Sequence, residues 1–243
     1  MTEYRFVLVH GSWHHGGLWK PVADQLDVGG HKVTTPTIAG HGKDADKDVS
    51  HDDCVQSIVD HIVGDDLSDV VLVGHSFGGT VIARVAGEIP ERVRRLVFWN
   101  AFVPEHGNCL NDEVPPHYQE LFDGLAQESD DNTVMLPWPI WREAFINDAD
   151  EELARSTYEE LSPEPYRCFT DKLDLDAFYA SKIPRSYLNC TEDIALPPGK
   201  WGWHPRFSAR LGLCRLVQMP GSHEAMFTNP TLLAQKIVEA GRD

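Results

Sequence analysis

No apolar run in the chain approaches the length of a membrane span, and Met1 to Val9 lacks a basic start followed by a long apolar stretch. Neither a transmembrane helix nor a secretory signal is therefore expected. Basic residues are scarce: 21 Lys and Arg stand against 38 Asp and Glu, a formal charge of −17. Such a field repels phosphate backbones and anionic lipid, so neither nucleic acid nor a membrane is expected as a partner. The five cysteines, Cys54, Cys109, Cys168, Cys190 and Cys214, share no short spacing and are odd in number. That pattern predicts reduced thiols in a cytoplasmic protein, not a disulfide framework or a zinc site. Internal repeats and low-complexity tracts are missing as well.

Cofactor signatures are also wanting. Asp44, Asp46 and Asp48 alternate as in a calcium loop, yet its sixth position is Val49 and its twelfth Val55, so the glycine turn and the bidentate acid are both missing. His223-Glu224-Ala225-Met226-Phe227 opens like a zinc-protease helix and ends in phenylalanine where a second histidine is needed. Gly40-His41-Gly42 runs into Lys43-Asp44-Ala45, which is neither a phosphate loop nor a dinucleotide fingerprint. No metal and no cofactor is expected.

What is present is an ordinary globular composition, 42% hydrophobic and 24% charged over 243 residues, enough for one domain with an insertion. Short β-branched runs alternate with stretches of helical period. Strands are expected at 6–9, 31–35, up to Gly74, 93–99, 186–189 and 213–219. Helices are expected at 19–26, 50–63, from Phe77 to Glu88, within 205–211 and from Pro230. Ser50 followed by Asp52 and Asp53 reads as a helix start. Alternation of this kind predicts an α/β fold, a mostly parallel sheet of about six strands with helices on both faces. The rhythm breaks between Phe102 and Pro184, where prolines, aromatics and acids cluster, as in Pro137-Trp138-Pro139-Ile140-Trp141, without a convincing buried strand. We expect residues 1–102 and 184–243 to form the core and 103–183 to be an inserted, mainly helical lid.

The chemistry centres on Gly74-His75-Ser76-Phe77-Gly78-Gly79, which follows a β-branched run and opens a helical stretch. A Gly-x-Ser-x-Gly in that context is a candidate nucleophile elbow: the glycines leave room for a sharp strand-to-helix turn, and the Phe77 N–H sits where an oxyanion could form. A serine hydroxyl needs a base, and the base an orienting acid, from loops after later strands. Among twelve histidines, His223 in Gly221-Ser222-His223-Glu224 lies after the last expected strand. Asp193, in Thr191-Glu192-Asp193-Ile194, occupies the loop after the strand before it, with Glu192 and Glu105 as competitors. His10-Gly11-Ser12-Trp13 after the first strand can supply the second oxyanion donor, the N–H of Ser12. Gly11, Trp13, His75, Trp138 and Trp141 are the candidate substrate contacts.

With these four motifs in order, the chain resembles the α/β-hydrolase superfamily along nearly its whole length, and within it most closely the branch of plant methylesterases, hydroxynitrile lyases and their bacterial esterase relatives. The resemblance implies a Ser76–His223–Asp193 triad, an oxyanion hole at Ser12 and Phe77, and hydrolysis of a small or aromatic carboxylic ester or lactone through an acyl-enzyme. The lyases of that branch carry a lysine after the catalytic histidine and a threonine in the oxyanion loop, where this chain has Glu224 and Gly11. Esterase activity is the expectation. A carbon–carbon lyase, a cofactor-free oxygenase and a small-molecule receptor are the alternatives that the same fold allows. The expected partner is a small-molecule ester, and a homodimer is compatible with the sequence.

Overall fold

The computed structural model describes residues 2–243. Its frame is a six-stranded sheet, β1 (Arg5–Val9), β2 (Lys32–Thr34), β3 (Val70–His75), β4 (Val93–Trp99), β7 (Arg185–Cys190) and β8 (Cys214–Met219), in the order β2-β1-β3-β4-β7-β8. Every pairing in it is parallel. Parallel neighbours require crossovers, and α1 (Lys20–Val28), α2 (His51–Gly64) and α3 (Gly78–Glu88) supply the first three, while α11 (Pro230–Gly241) follows the last strand and packs back on the sheet.

The pleat sorts the strand residues between two cores. Val7, Val9, Val70, Leu72, Leu96, Phe98 and Tyr187 pack on one face with α2, α3 and the segment between β4 and β7. Phe6, Leu8, Val71, Val73, Val97, Trp99 and Leu188 pack on the other with α1 and α11. A sheet buried on both sides has continuous apolar strands, as Val70-Val71-Leu72-Val73 illustrates. Helix α2 starts as its sequence suggests, with a capping box: the Asp53 N–H donates to Ser50 Oγ at 3.2 Å and the Ser50 N–H to Asp53 Oδ2 at 2.8 Å.

Between β4 and β7 lie α4 (Pro116–Glu128), α5 (Trp138–Ile140), a π-helical turn (Trp141–Phe145), α6 (Glu151–Glu159), α7 (Arg167–Thr170) and α8 (Asp176–Ala180). The sequence suggests no buried strand here, but two short ones exist. β5 (Thr133–Val134) and β6 (Glu164–Pro165) pair antiparallel and are buried. Two residues are too few for a period-2 signal, and Pro165 reads as a strand breaker. The short helices α9 (Arg206–Arg210) and α10 (Ala225–Thr228) flank β8.

The chain passes from β1 outward to β2 and then crosses back to β3 on the other side of β1. This reversal opens a crevice at the carboxyl ends of β1 and β3, where Val9 stands level with Gly74. The loops carrying Ser12 and Ser76 both start there.

Candidate active site

Ser76 sits directly after β3 with φ 52°, a left-handed conformation that costs a non-glycine residue about 1–2 kcal/mol. The turn is over-determined by its neighbours. The Ser76 carbonyl accepts the N–H of Gly79 at 3.0 Å and of Phe102 at 3.1 Å, while the Ser76 N–H donates to Trp99 O at 3.3 Å. A Cβ on Gly74 would lie 2.6 Å from Gly78 O, and one on Gly78 would lie 2.6 Å from His10 O. The elbow therefore forms only with glycine at both places.

His223 follows β8 and Asp193 follows β7, adjacent strands that end level at Cys190 and Met219. His223 Nδ1 lies 2.6 Å from Asp193 Oδ2, with both side chains out of solvent. Asp193 is itself held: Oδ1 accepts the Ala195 N–H at 2.9 Å and Oδ2 accepts Asn100 Nδ2. Asn100, at the end of β4, takes the Cys190 N–H on its own oxygen at 2.7 Å. The His223 ring is sandwiched against Trp203, with centroids 5.0 Å apart and planes 16° apart, and meets the edge of Phe145 at 5.2 Å. Of the competing acids, Glu192 and Glu105 are exposed, and Glu105 faces Arg210.

Ser76 and His223 line one small cavity with Ser12, Trp13, Phe102, Leu110, Val114, Tyr118, Phe122, Phe145, Phe169, Ala195, Leu196 and Trp203. Its volume, about 30 Å³, has room for on the order of two waters. Among the described residues no Ser76–His223 hydrogen bond is formed, a contact that tightens in many serine enzymes only with substrate present. The Ser12 and Phe77 N–H groups are likewise not consumed by another protein group among the described residues.

The Ser12 N–H is aimed from behind. His10 Nε2 accepts the Ile38 N–H at 3.0 Å, so Nδ1 carries the proton and donates to Gly11 O at 2.9 Å. In a trans peptide the carbonyl and the next N–H point opposite ways, so a carbonyl turned toward His10 turns the Ser12 N–H away from it. Gly11 touches the elbow and is not part of the lining: a Cβ there would come 3.0 Å from both His75 Nδ1 and Ser76 Cβ. His75 also stays out of the cavity, stacked on Trp99 at 4.0 Å with Nε2 3.1 Å from His223 O.

The two tryptophans between β4 and β7 that were expected at the substrate do not line the cavity either. Trp141 is fully buried with its indole N–H on Ala154 O at 3.0 Å, and Trp138 packs on Tyr158 under the Arg155 guanidinium. Their aromatic run serves packing within the segment. Trp13 does line the cavity.

The histidines around His223 are kept uncharged. Burial, then the proximity of His223, holds His14 at about 3 and His75 well below the usual imidazole range. Burial also pushes the Glu224 carboxyl well above its ordinary value, with Asp193 and Asp148 adding to the effect. His14 and Glu224, 3.5 Å apart, therefore form a neutral pair despite ion-pair distance. His14, His75 and Glu224 are also the buried residues whose ligand atoms lie within 4.8 Å of one another and could hold a cation.

Sequence reasoning missed Asn100, Trp203, Asp148, His41 and Glu164. Asp148 Oδ2 accepts the Ser222 N–H at 3.1 Å and the Thr228 hydroxyl at 2.9 Å, fastening the His223 loop. Only Asn100 left a signal, as a lone amide at the end of the apolar strand Val93–Trp99.

Residues 6–236 match the model of the alpha/beta hydrolase family. The chain is 32% identical to a carbendazim-hydrolyzing esterase of Nocardioides sp. (strain SG-4G) over 97% of its own length and 99% of that protein's. It is 26% identical to salicylic acid-binding protein 2 of Nicotiana tabacum, covering 96% of this chain and 95% of the relative. A solved structure from a Paenibacillus species, described as an extracellular alpha/beta-hydrolase sharing structural and functional homology with the tobacco protein, superposes with a TM-score of 0.97 at 42% identity, over 99% of this chain and 100% of that one. Strand order, the serine turn after β3 and the match across nearly the full length agree, and the chain belongs to the alpha/beta hydrolase family.

Proposed function

We propose that the protein is a carboxylic ester hydrolase acting through Ser76, His223 and Asp193 on a small, uncharged ester or lactone. The observation that carries this reading is the meeting of Ser76 and His223 in one apolar cavity, with His223 Nδ1 2.6 Å from Asp193. Ser76 Oγ attacks the ester carbonyl and its proton passes to His223, whose imidazolium Asp193 stabilises. The tetrahedral oxyanion takes hydrogen bonds from the Ser12 and Phe77 N–H groups. Collapse expels the alkoxide, which leaves with the proton from His223, and the acyl group stays on Ser76. A water deprotonated by His223 then attacks the acyl-enzyme, and the acid and free serine are released.

Neutral histidines suit this cycle, because a charged His14 or His75 would oppose the imidazolium that His223 must become. The lyase alternative finds no support at Glu224, a neutral carboxyl turned to His14 and away from the cavity where the resembling lyases carry a lysine. In this reading residues 103–183 act as the lid, since Phe122, Phe145 and Phe169 from that segment close the cavity. The cytoplasmic location rests on five free thiols, and fractionation of the producing cell tests it. Sedimentation tests the homodimer.

A panel of short-chain and aromatic p-nitrophenyl and methyl esters, assayed with the native chain and with Ser76→Ala, tests the mechanism. A loss of about 10⁴-fold or more in the variant is expected. An inert native chain or an active variant overturns the proposal.

A further inference from the structure

Behind the oxyanion loop lies a buried ion pair that the triad does not use. Glu164, in β6, and His41, in the loop after β2, are both fully buried, with His41 Nε2 2.9 Å from Glu164 Oε2. His41 Nδ1 meets Ala39 O at 2.9 Å, so both ring nitrogens face acceptors and both must carry protons. Glu164 Oε2 accepts a second hydrogen bond, from the N–H of Trp13 at 2.9 Å. The His41 ring also stacks on the side chain of Phe77 at 5.6 Å and meets His10 edge-on at 4.9 Å. One pair thus touches Phe77, His10 and the neighbour of Ser12.

Trp13 needs holding. Its φ is 65°, left-handed, and three hydrogen bonds from 133–164 fix it there. Besides the N–H on Glu164, its indole N–H donates to Val134 O at 2.8 Å and its carbonyl accepts the Ser162 N–H at 2.9 Å. The Trp13 N–H shares a peptide plane with the Ser12 carbonyl, and the Ser12 N–H shares the preceding plane with the Gly11 carbonyl that His10 holds. With both planes clamped, both backbone torsions of Ser12 are set, and its N–H has one direction.

We infer that Glu164 and His41 are positioning residues for the oxyanion hole, fixing Trp13 and through it the Ser12 N–H from the segment between β4 and β7. The inference rests on the serine-esterase reading. It assigns that segment a part in the chemistry as well as in closing the cavity. It also gives a use to a buried carboxylate that no apolar contact requires. Mis-aimed oxyanion donors weaken the transition state more than the ground state, so the cost falls on kcat.

The test uses the best ester of the panel and a trifluoromethyl ketone of matching acyl shape, which adds Ser76 to form an oxyanionic hemiketal. Glu164→Ala is expected to lower kcat by about 100-fold, with KM changed by less than about threefold, and to weaken the ketone by the same factor as kcat/KM. Glu164→Gln keeps an oxygen for the Trp13 N–H and is expected to restore kcat to within about tenfold of native. If Glu164→Ala does not fold, His41→Ala takes its place, with an expected kcat loss of at least about tenfold at unchanged KM. A rise in KM at native kcat overturns the inference, as does a lower kcat with native ketone affinity. Ser76→Ala separates the two failures. If it stays active, the serine mechanism is wrong; if it is dead while the Glu164 and His41 variants behave as native, this inference alone is wrong.

Discussion

His75 Nε2 lies 3.1 Å from the carbonyl oxygen of His223, so the histidine beside Ser76 fastens the loop that carries His223. A carbonyl only accepts, which puts the proton on Nε2 and leaves His75 Nδ1 bare beside Gly11. The ring is locked by stacking on Trp99 at 4.0 Å. His75→Phe keeps the stack and loses the donor. We expect kcat to fall by about tenfold with KM little changed, and stability to drop by about 1–2 kcal/mol for the orphaned carbonyl. Steady-state kinetics with urea unfolding read both, and native values in both would refute the role.

Asn100 holds Asp193 from one side and the Cys190 N–H from the other. Asp193→Asn should present the wrong tautomer to His223 and lower kcat by about 10⁴-fold. Asn100→Ala leaves Asp193 its Ala195 N–H, so a milder loss of about 10- to 100-fold is expected, the scale of a removed orienting partner. A larger loss at Asn100 than at Asp193 would mean that Asp193 is not the acid.

Residues at strand ends were legible because topology constrains them: a β-branched run, a turn motif and a helix put Ser76, Asp193 and His223 after β3, β7 and β8. The sheet was readable for the same reason, since continuous apolar strands signal burial on both faces. His41, Glu164 and Asp148 were not legible. Their partners are 123 residues apart for His41 and Glu164, and 74 for Asp148 and Ser222, and nothing local marks an acid that will be buried among 38 acidic residues. Trp138 and Trp141 misled because an aromatic run fits a packed segment as well as a substrate wall.

Stability should fall steeply in acid. Burial, aided by neighbouring imidazoles and at His51 by Arg84, holds His10, His14, His51 and His75 below the ordinary imidazole range. Below pH about 6.5 the unfolded chain binds protons there that the native state refuses, each worth about 1.4 kcal/mol per pH unit. Glu224 acts oppositely, keeping in the native state a proton that the unfolded chain releases above its ordinary carboxyl value. Four histidines oppose one carboxyl, so the balance favours unfolding as pH falls below about 6.5.

On the alkaline side His41 adds to buried cysteines and tyrosines, Cys109, Cys168, Cys190, Tyr118 and Tyr187 among them, whose protons burial retains in the native state. Burial lowers the His41 value, but the adjacent Glu164 outweighs it and raises it to about 9. Its stabilisation is complete below pH about 6.5 and is lost as pH rises through about 9, on the order of 3 kcal/mol. Urea unfolding from pH 4.5 to 10 should give a maximum near neutrality. Glu164→Gln should make the alkaline limb shallower and leave the acid limb in place, and a flat acid limb in the native protein would contradict the neutral histidine cluster.

The cavity sets selectivity by exclusion. Among the described residues its lining holds no lysine or arginine, and Trp13, Phe102, Phe122, Phe145, Phe169 and Trp203 are six of its fourteen lining residues. An acyl group with a free carboxylate would lose its hydration there with no cation in return, so such esters should be turned over at least about 100-fold more slowly than their uncharged isosteres. At about 30 Å³ the space is also smaller than any aromatic acyl group, so bulky substrates must displace the aromatic side chains above Ser76. Phe122, on α4, packs on Phe169 at 5.3 Å and on Trp13 at 6.2 Å. Phe122→Val removes part of that wall while leaving the Trp13 backbone bonds in place. The ratio of kcat/KM for benzoate over acetate esters should rise by about tenfold, the scale of one or two methylenes of fit. An unchanged ratio would mean that the acyl group binds elsewhere, and a fall in both esters together would mean that Phe122 supports Trp13 and does not gate the pocket.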